Sequence, residues 1–381
     1  MKLPIYLDYN ATTPHDPEVI QAMQTYLEKE YGNPSSTHWY GIAPKRAVNN
    51  ARAQVASLLN CSPSEVIFTG CATESNNHAI KGAALCGKTR GNHIITSSIE
   101  HPAVLEVCRH LAGSGFEITM LPVSSTGLVD VKDVEKAVRP STILISVMHA
   151  NNEVGTIQPV EEIARLARNR GILMHTDAAQ SLGKIPVDVQ RLSVDLLSMA
   201  GHKIYAPKGI GALYVREGVD LAVFMHGAGQ ESGTRAGTEN VLGIVGMGKA
   251  CEIACIDLDA NMHHMKRMRD ILHTVIFERL GRVRINGDEH LRLPNTLNIS
   301  FEGLEANRIL EEIGLEVAAS AGAACHSDTV KISHVLEAMH IPVEWAMGTI
   351  RLSTGRFTTE SEISHAAGVI VDAIINLRRR G

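Results

Sequence analysis

Short β-branched runs alternate with helical patterns through much of this chain, and that alternation constrains its fold more than any other feature. Val66-Ile67-Phe68, His93-Ile94-Ile95-Thr96, Thr142-Ile143-Leu144-Ile145-Ser146-Val147 and Ile172-Leu173-Met174-His175 read as strands. Helical patterns follow near 74–84, 103–111 and 160–170. Parallel strands need crossover helices, so this order specifies an α/β fold with a mainly parallel sheet covered on both faces. Such a sheet also predicts where function sits, because its ligands lie beyond the carboxyl ends of the strands.

The chain outside these runs extends the pattern. Asp16 and Pro17 start a helix whose face is expected to hold Ile20, Met23 and Leu27, and a second helix is expected from about 43 to 59. Cys255-Ile256-Asp257-Leu258-Asp259 leads into a long polar helix and reads as the passage into a second unit. Pro294 to Ser300 resembles a strand, and a final helix begins with a possible capping box of Thr359 and Glu362. With 381 residues the chain exceeds one core. Residues 15–257 are expected to form a large domain, and 1–14 with 258–381 a smaller α/β domain.

Several function classes are disfavoured. A net charge of -5 gives no reason for direct nucleic-acid binding, and Arg378-Arg379-Arg380 reads as a helix C-terminus whose cations complement the dipole. No apolar run is long enough to cross a bilayer, and the first residues show no signal-peptide pattern. Seven scattered cysteines, an odd number, favour a reducing, cytoplasmic setting. Cys251 and Cys255 are four apart in an apolar helical stretch, which favours packing over a metal site, and no metal is expected.

The candidate functional residues fall at strand ends. Gly70-Cys71-Ala72-Thr73-Glu74 follows a strand and opens a helix, so free N–H groups and Thr73 could cradle a phosphate, although an ordinary capped helix has the same look. Glu100-His101-Pro102 follows another strand, where His101 could stack on a ring or shuttle protons. Asp177 ends an apolar strand, and Gln180 stands one turn further on. Downstream, Met199-Ala200-Gly201-His202-Lys203 offers an amine beside a glycine that permits close approach. A lysine able to carry a Schiff base and an aspartate able to face a pyridinium nitrogen are the two groups that pyridoxal 5'-phosphate chemistry most needs.

These blocks, taken in order, resemble the NifS/IscS-type cysteine desulfurases among the class V aminotransferase-like enzymes. The resemblance covers nearly the whole chain. It includes Tyr6 to Pro14, Gly32 to Ser36, Ala72 to Asn76, Asn151 to Gly155, His175 to Gln180, Gly201 to Tyr205, Gly229 to Glu231, Arg235 to Asn240 and Arg351 to Arg356. It implies the aspartate-aminotransferase-like fold of pyridoxal-phosphate transferases and an enzyme that converts L-cysteine to L-alanine. On that resemblance Lys203 would hold the cofactor covalently and act as base, and Asp177 would bind the pyridinium. Gln180 would bind the phenolic oxygen and His101 would stack on the ring. Thr73 and His202 would hold the phosphate, with Thr238 supplied by a neighbouring subunit, which implies a homodimer. Asn152 and Arg351 would clamp the substrate.

Cys325, in Ala323-Ala324-Cys325-His326-Ser327-Asp328, separates sulfur removal from transamination. The family supplies a nucleophile there, whose persulfide passes to a sulfur-acceptor protein in pathways such as iron–sulfur cluster biogenesis, transfer-RNA thiolation or DNA phosphorothioation. His101 and His326 are both candidates for its acid–base partner. Three departures stand out. Ala200 replaces a serine that many relatives place on the phosphate, and Ser232 stands where relatives often carry arginine. The cysteine segment looks closer to selenocysteine lyases, and to some desulfurases serving DNA sulfur modification, than to serine-rich iron–sulfur desulfurases. A selenocysteine lyase and a class V aminotransferase are the alternative activities, and a non-catalytic cofactor-bound protein is the third alternative.

Overall fold

The computed structural model describes residues 3–321, 323–326 and 329–380, with 323–326 and 329–331 described by their backbone. The chain enters through β1 (Ile5–Tyr6) and then builds a seven-stranded sheet. Its strands are β2 (Val66–Thr69), β3 (His93–Ser97), β4 (Glu117–Leu121), β5 (Thr142–Ser146), β6 (Leu173–Asp177), β7 (Leu196–Ala200) and β8 (Gly211–Val215). The spatial order is β2-β8-β7-β6-β5-β3-β4. From β4 through β3, β5 and β6 to β7 every pairing is parallel. β8 lies antiparallel between β7 and β2, so it alone in this sheet opposes the other strands. Six carboxyl ends therefore open on one edge.

The strands are apolar on both faces because both faces are covered. Ile67, Ile94, Leu144 and Leu196 point into one core with Ile80, Ala83 and Val104 of helices Ala72–Gly87 and Pro102–Ala112. Their immediate neighbours Phe68, Ile95, Ile145 and Leu197 point into the opposite core with Val55, Leu59, Ile163 and Met247. This is the two-residue period of a strand applied to a sheet with helices on each side.

The remaining strands form a second layer. β9 (Val283–Asn286) and β10 (Thr296–Phe301) precede β11 (Val317–Ala318), which pairs in parallel with β1. β12 (Ser320–Ala321) is followed by a hairpin of β13 (Ala323–His326) and β14 (Thr329–Ile332), and then by β15 (Thr349–Ser353). The four-stranded antiparallel sheet runs β12-β15-β10-β9. Met268, Leu272 and Ile276 pack on its core with Ile363, Ile370 and Ile374 of the final helix Glu360–Arg380. The expected capping box forms, with Thr359 N donating to Glu362 Oε2 at 2.8 Å and Glu362 N donating to Thr359 Oγ1 at 3.2 Å. Arg378 donates to the carbonyls of Gly281 and Arg282, and Arg380 pairs with Glu312, so two members of the basic run are held within the chain.

One helix, Val241–Arg279, runs through Cys255 to Asp259 and buries Met247 and Cys251 in one core and Leu272 in the other. Three local expectations are corrected. Helix Pro17–Glu28 buries Val19, whereas Ile20 and Leu27 are exposed, because the helix presents a different stripe to its neighbour. The second helix starts at Trp39 and Cys255 is exposed. Among the described residues no helix is long and apolar enough to cross a membrane, and no cluster of ligands fit for a metal is present.

Candidate active site

The shared carboxyl edge gathers most of the singled-out residues around one cavity of about 320 Å³. Thr73 follows β2, His101 follows β3, Asn152 follows β5, Asp177 ends β6, and His202 and Lys203 follow β7; all line it together with Gln180 and Arg351. Arg351 arrives from β15 in the second sheet, so the cavity lies where the two layers meet.

Asp177 is held rigidly. Its Oδ2 accepts from Asn76 Nδ2 at 2.7 Å, and its Oδ1 accepts from Ala179 N at 2.9 Å. Asn76 Oδ1 is buried with no hydrogen-bond partner. The Lys203 amine donates to the carbonyl of Ala11 at 2.6 Å and to that of Asn10. Burial, reinforced by the Arg351 guanidinium, lowers its pKa to about 8, against the opposing pull of Asp8 and Asp177. His101 caps helix Pro102–Ala112, with Nδ1 accepting from Ala103 N at 3.1 Å. That bond leaves Nε2 to carry the proton of the neutral ring. Burial lowers the His101 pKa, with Lys203 and His334 adding to it and Asp177 opposing.

Helix Ala72–Gly87 begins at Cys71 without a side-chain cap, so its first N–H groups remain available at the cavity beside Thr73. Gly211 makes this approach possible: a Cβ there would sit 2.7 Å from the Cys71 carbonyl carbon and 3.0 Å from Ala72 N. Glu74 fastens the same turn, accepting from Gly70 N at 2.7 Å and pairing with Arg235 at 2.7 Å. His202 Nδ1 lies 3.2 Å from Thr12 Oγ1, and burial with the charges of Lys203, Lys208 and Lys184 lowers its pKa to about 4. Ala200 also lines the cavity and offers no polar group.

Arg351 donates to Asn152 O at 3.0 Å, Ser320 Oγ at 3.2 Å and Asp8 Oδ1 at 2.7 Å, and its buried Nε has no partner. Thr238 lies apart, on an exposed segment lining a separate cavity with Gly70 and Asn240. The backbone of Cys325 pairs with that of Val330 in the hairpin, while its side chain and that of His326, with all of Ser327 and Asp328, lie outside the described residues. The hairpin's root is anchored at the site: Ser333 Oγ donates to Glu153 Oε2, and His334 Nε2 lies 3.0 Å from Glu100 O.

Some members were not read from sequence. Asn10 is a hub, its carbonyl accepting from Lys203 and from Gln180 Nε2 at 2.9 Å. Lys184 lies behind it, fully buried. Only its placement four residues after Gln180 in an apolar stretch was available as a signal. Glu231 is partnered across the fold by Arg52 at 2.7 Å, which supplies a cation although Ser232 follows.

Fold and cavity together define an enzyme built on the α/β transferase plan, with an amine and a carboxylate facing one ligand space. The model of the family "Aminotransferase class-V" matches residues 5–365. The cysteine desulfurase IscS of Dictyoglomus turgidum is 47% identical over 379 residues, covering 99% of this chain and 96% of that protein. A solved NifS-like protein superposes with a TM-score of 0.93 at 39% identity, covering 98% of this chain and 100% of that one. SspA, solved in complex with cysteine, superposes with a TM-score of 0.82 at 37% identity, covering 93% and 99%. The chain belongs to the class-V aminotransferase family, within its NifS/IscS-type cysteine desulfurases.

Proposed function

We propose that this protein is a pyridoxal-phosphate-dependent cysteine desulfurase that converts L-cysteine to L-alanine and leaves the sulfur as a persulfide on Cys325. The observation that carries the reading is the convergence of Lys203, Asp177, Gln180, His101 and Arg351 on one cavity at the carboxyl edge of the sheet.

The residues present fit the cofactor. An uncapped helix start with Thr73 and His202 beside it suits a phosphate, and the depressed amine of Lys203 suits covalent attachment to an aldehyde. When bound, pyridoxal phosphate supplies an electron sink next to the α-carbon of an amino acid. Asp177, an acceptor fixed by Asn76 and Ala179, would keep a proton on the pyridine nitrogen. Gln180 would face the phenolic oxygen and His101 the ring. Arg351, with Asn152, would take the substrate carboxylate as a fork, a geometry that lysine cannot reproduce. Lys203, once released, would take the α-proton, a role its lowered pKa favours near neutrality.

Cys325 would then attack the substrate sulfur as thiolate. An S–S bond would form and the C–S bond break, the electron pair left on the β-carbon would take a proton, and Lys203 would return the proton to the α-carbon to complete alanine. His101 and His326 remain the two candidates for the acid–base partner that takes the Cys325 thiol proton. The persulfide sulfur would pass by contact to a thiol of an acceptor protein. In this reading residues 15–257 bind the cofactor, and residues 1–14 with 258–381 carry the hairpin. A homodimer, to which Thr238 would contribute across subunits, is supported by the exposed Leu27, Tyr31, Trp39 and Tyr40. Described cysteines that are all free favour a reducing cytoplasm.

Protein supplied with pyridoxal phosphate, L-cysteine and reductant is expected to yield alanine and sulfide, with one extra sulfur on Cys325 by mass spectrometry before reduction. Cys325→Ala is expected to keep the visible band of the bound cofactor and lose turnover. Turnover of cysteine by that variant at the full rate overturns the reading. Selenocysteine lyase is the alternative activity that the likeness of the cysteine segment leaves, and comparing both substrates on the same variant separates the two lyase activities.

A further inference from the structure

Lys184 is a buried amine that the reaction above does not use. Its side chain is only 4% exposed, and among the described residues no carboxylate pairs with it. Nζ instead meets two side-chain amide oxygens, Gln180 Oε1 at 2.7 Å and Asn10 Oδ1 at 3.3 Å. Nζ donates in both contacts, so each amide turns its oxygen toward it. For Gln180 this has a direct consequence. With Oε1 committed to Lys184, the amide nitrogen faces the other way, where one N–H reaches Asn10 O at 2.9 Å and the second remains for the cavity that Gln180 lines. Asn10 is fixed in the same manner: its Oδ1 also accepts from Asn295 at 3.0 Å, and its Nδ2 donates to Thr296 Oγ1 at 2.8 Å.

Resting on the proposed function, we propose that Lys184 is a positioning residue that locks the Gln180 amide with its N–H turned into the cavity, aimed at the phenolic oxygen of pyridoxal phosphate. The lock is needed because an amide's oxygen and nitrogen are nearly equal in size, and a flipped Gln180 would present an acceptor to an anionic oxygen. The titratable and charged groups facing Lys184 are Lys203, Arg351 and the neutral His202, with Asp8 and Asp177 beyond Lys203. Burial, with the Lys203 and Arg351 cations, pushes the Lys184 pKa well below its ordinary value, so its hold on Gln180 rests on its N–H contact and not on a charge.

The test is a pH titration of the visible absorption of holoenzyme, whose midpoint reports the proton shared between the cofactor's phenolic oxygen and its link to Lys203. Losing the N–H donor that Gln180 aims at the phenolic oxygen favours the protonated form. Lys184→Met is expected to raise the midpoint by about one unit, a tenfold change in proton affinity. Lys184→Gln, which keeps a polar group and gives a second route to folded protein, is expected to raise it by less. Gln180→Leu alone is expected to raise the midpoint, and adding Lys184→Met to it is expected to change it little, because the lysine acts through that amide. An unchanged midpoint in Lys184→Met or Lys184→Gln, or full additivity in the double variant, overturns the inference. A wild-type protein that takes up no cofactor and shows no visible band overturns the proposed function instead.

Discussion

Removing the Arg351 cation should make Lys203 harder to deprotonate, by an amount that separates burial from charge. In the protein free of cofactor the Lys203 amine lies among carbonyl oxygens and faces Arg351, and its pKa falls from 10.5 to about 8. At pH 7 that raises the free-amine fraction from ~0.03% to about 9%, roughly 300-fold. Burial is the larger cause and Arg351 the second, so Arg351→Leu is expected to move the midpoint upward without restoring 10.5. The assay is brief acylation with a small reagent from about pH 6 to pH 11, reading the Lys203 peptide by mass spectrometry against exposed lysines of the same chain. Labelling of Lys203 that climbs with unit slope past pH 10, or a midpoint indifferent to Arg351→Leu, would refute the reasoning. The same shift bears on stability. The folded pKa lies below the unfolded one, so the buried charge costs about 3 kcal/mol below pH 8, and the cost fades as pH rises from about 8 to 10.5.

Arg351→Lys is expected to raise KM for cysteine about 10- to 100-fold with a smaller change in kcat, since a point charge replaces the fork; an unchanged KM in steady-state assays counts against the carboxylate clamp. Glu100 is buried, its Oε1 accepts from Ser97 and Met148 N, and burial raises its pKa from 4.5 to about 8. Its contribution to stability is complete below the unfolded pKa and is lost as pH rises through 8, so Glu100→Gln should melt above wild type at pH 9, whereas Glu100→Ala should lose about 2–3 kcal/mol below about pH 4.5 and progressively less as pH rises toward 8. Ser333→Ala, which removes the contact to Glu153 at the hairpin's root, is expected to slow persulfide formation about three- to tenfold while the cofactor spectrum stays unchanged; a rate equal to wild type in single-turnover mass spectrometry excludes the anchor.

Most of the site was legible because pyridoxal-phosphate chemistry needs few residue types and a parallel sheet delivers them at strand ends. Asp177, Lys203, His101 and Thr73 all sit where the strand-to-helix order placed them. Boundaries were less legible. Val241–Arg279 ignores the polar stretch at Cys255 to Asp259, since a helix packed at both ends tolerates a solvated middle. Ile20 and Leu27 looked like a buried stripe, but periodicity leaves open which stripe meets a neighbour.

The sequence by itself determined the mainly parallel character of the sheet, the edge on which ligands gather and the kind of chemistry, because these follow from local patterning and side-chain type. Only the tertiary structure decided who touches whom across hundreds of residues. Asn10 reaches Asn152, Lys184, Lys203 and Thr296, Arg351 reaches Asp8, and Arg52 reaches Glu231. Such pairings are set by how two layers close on each other, a long-range geometric outcome that local periodicity does not encode.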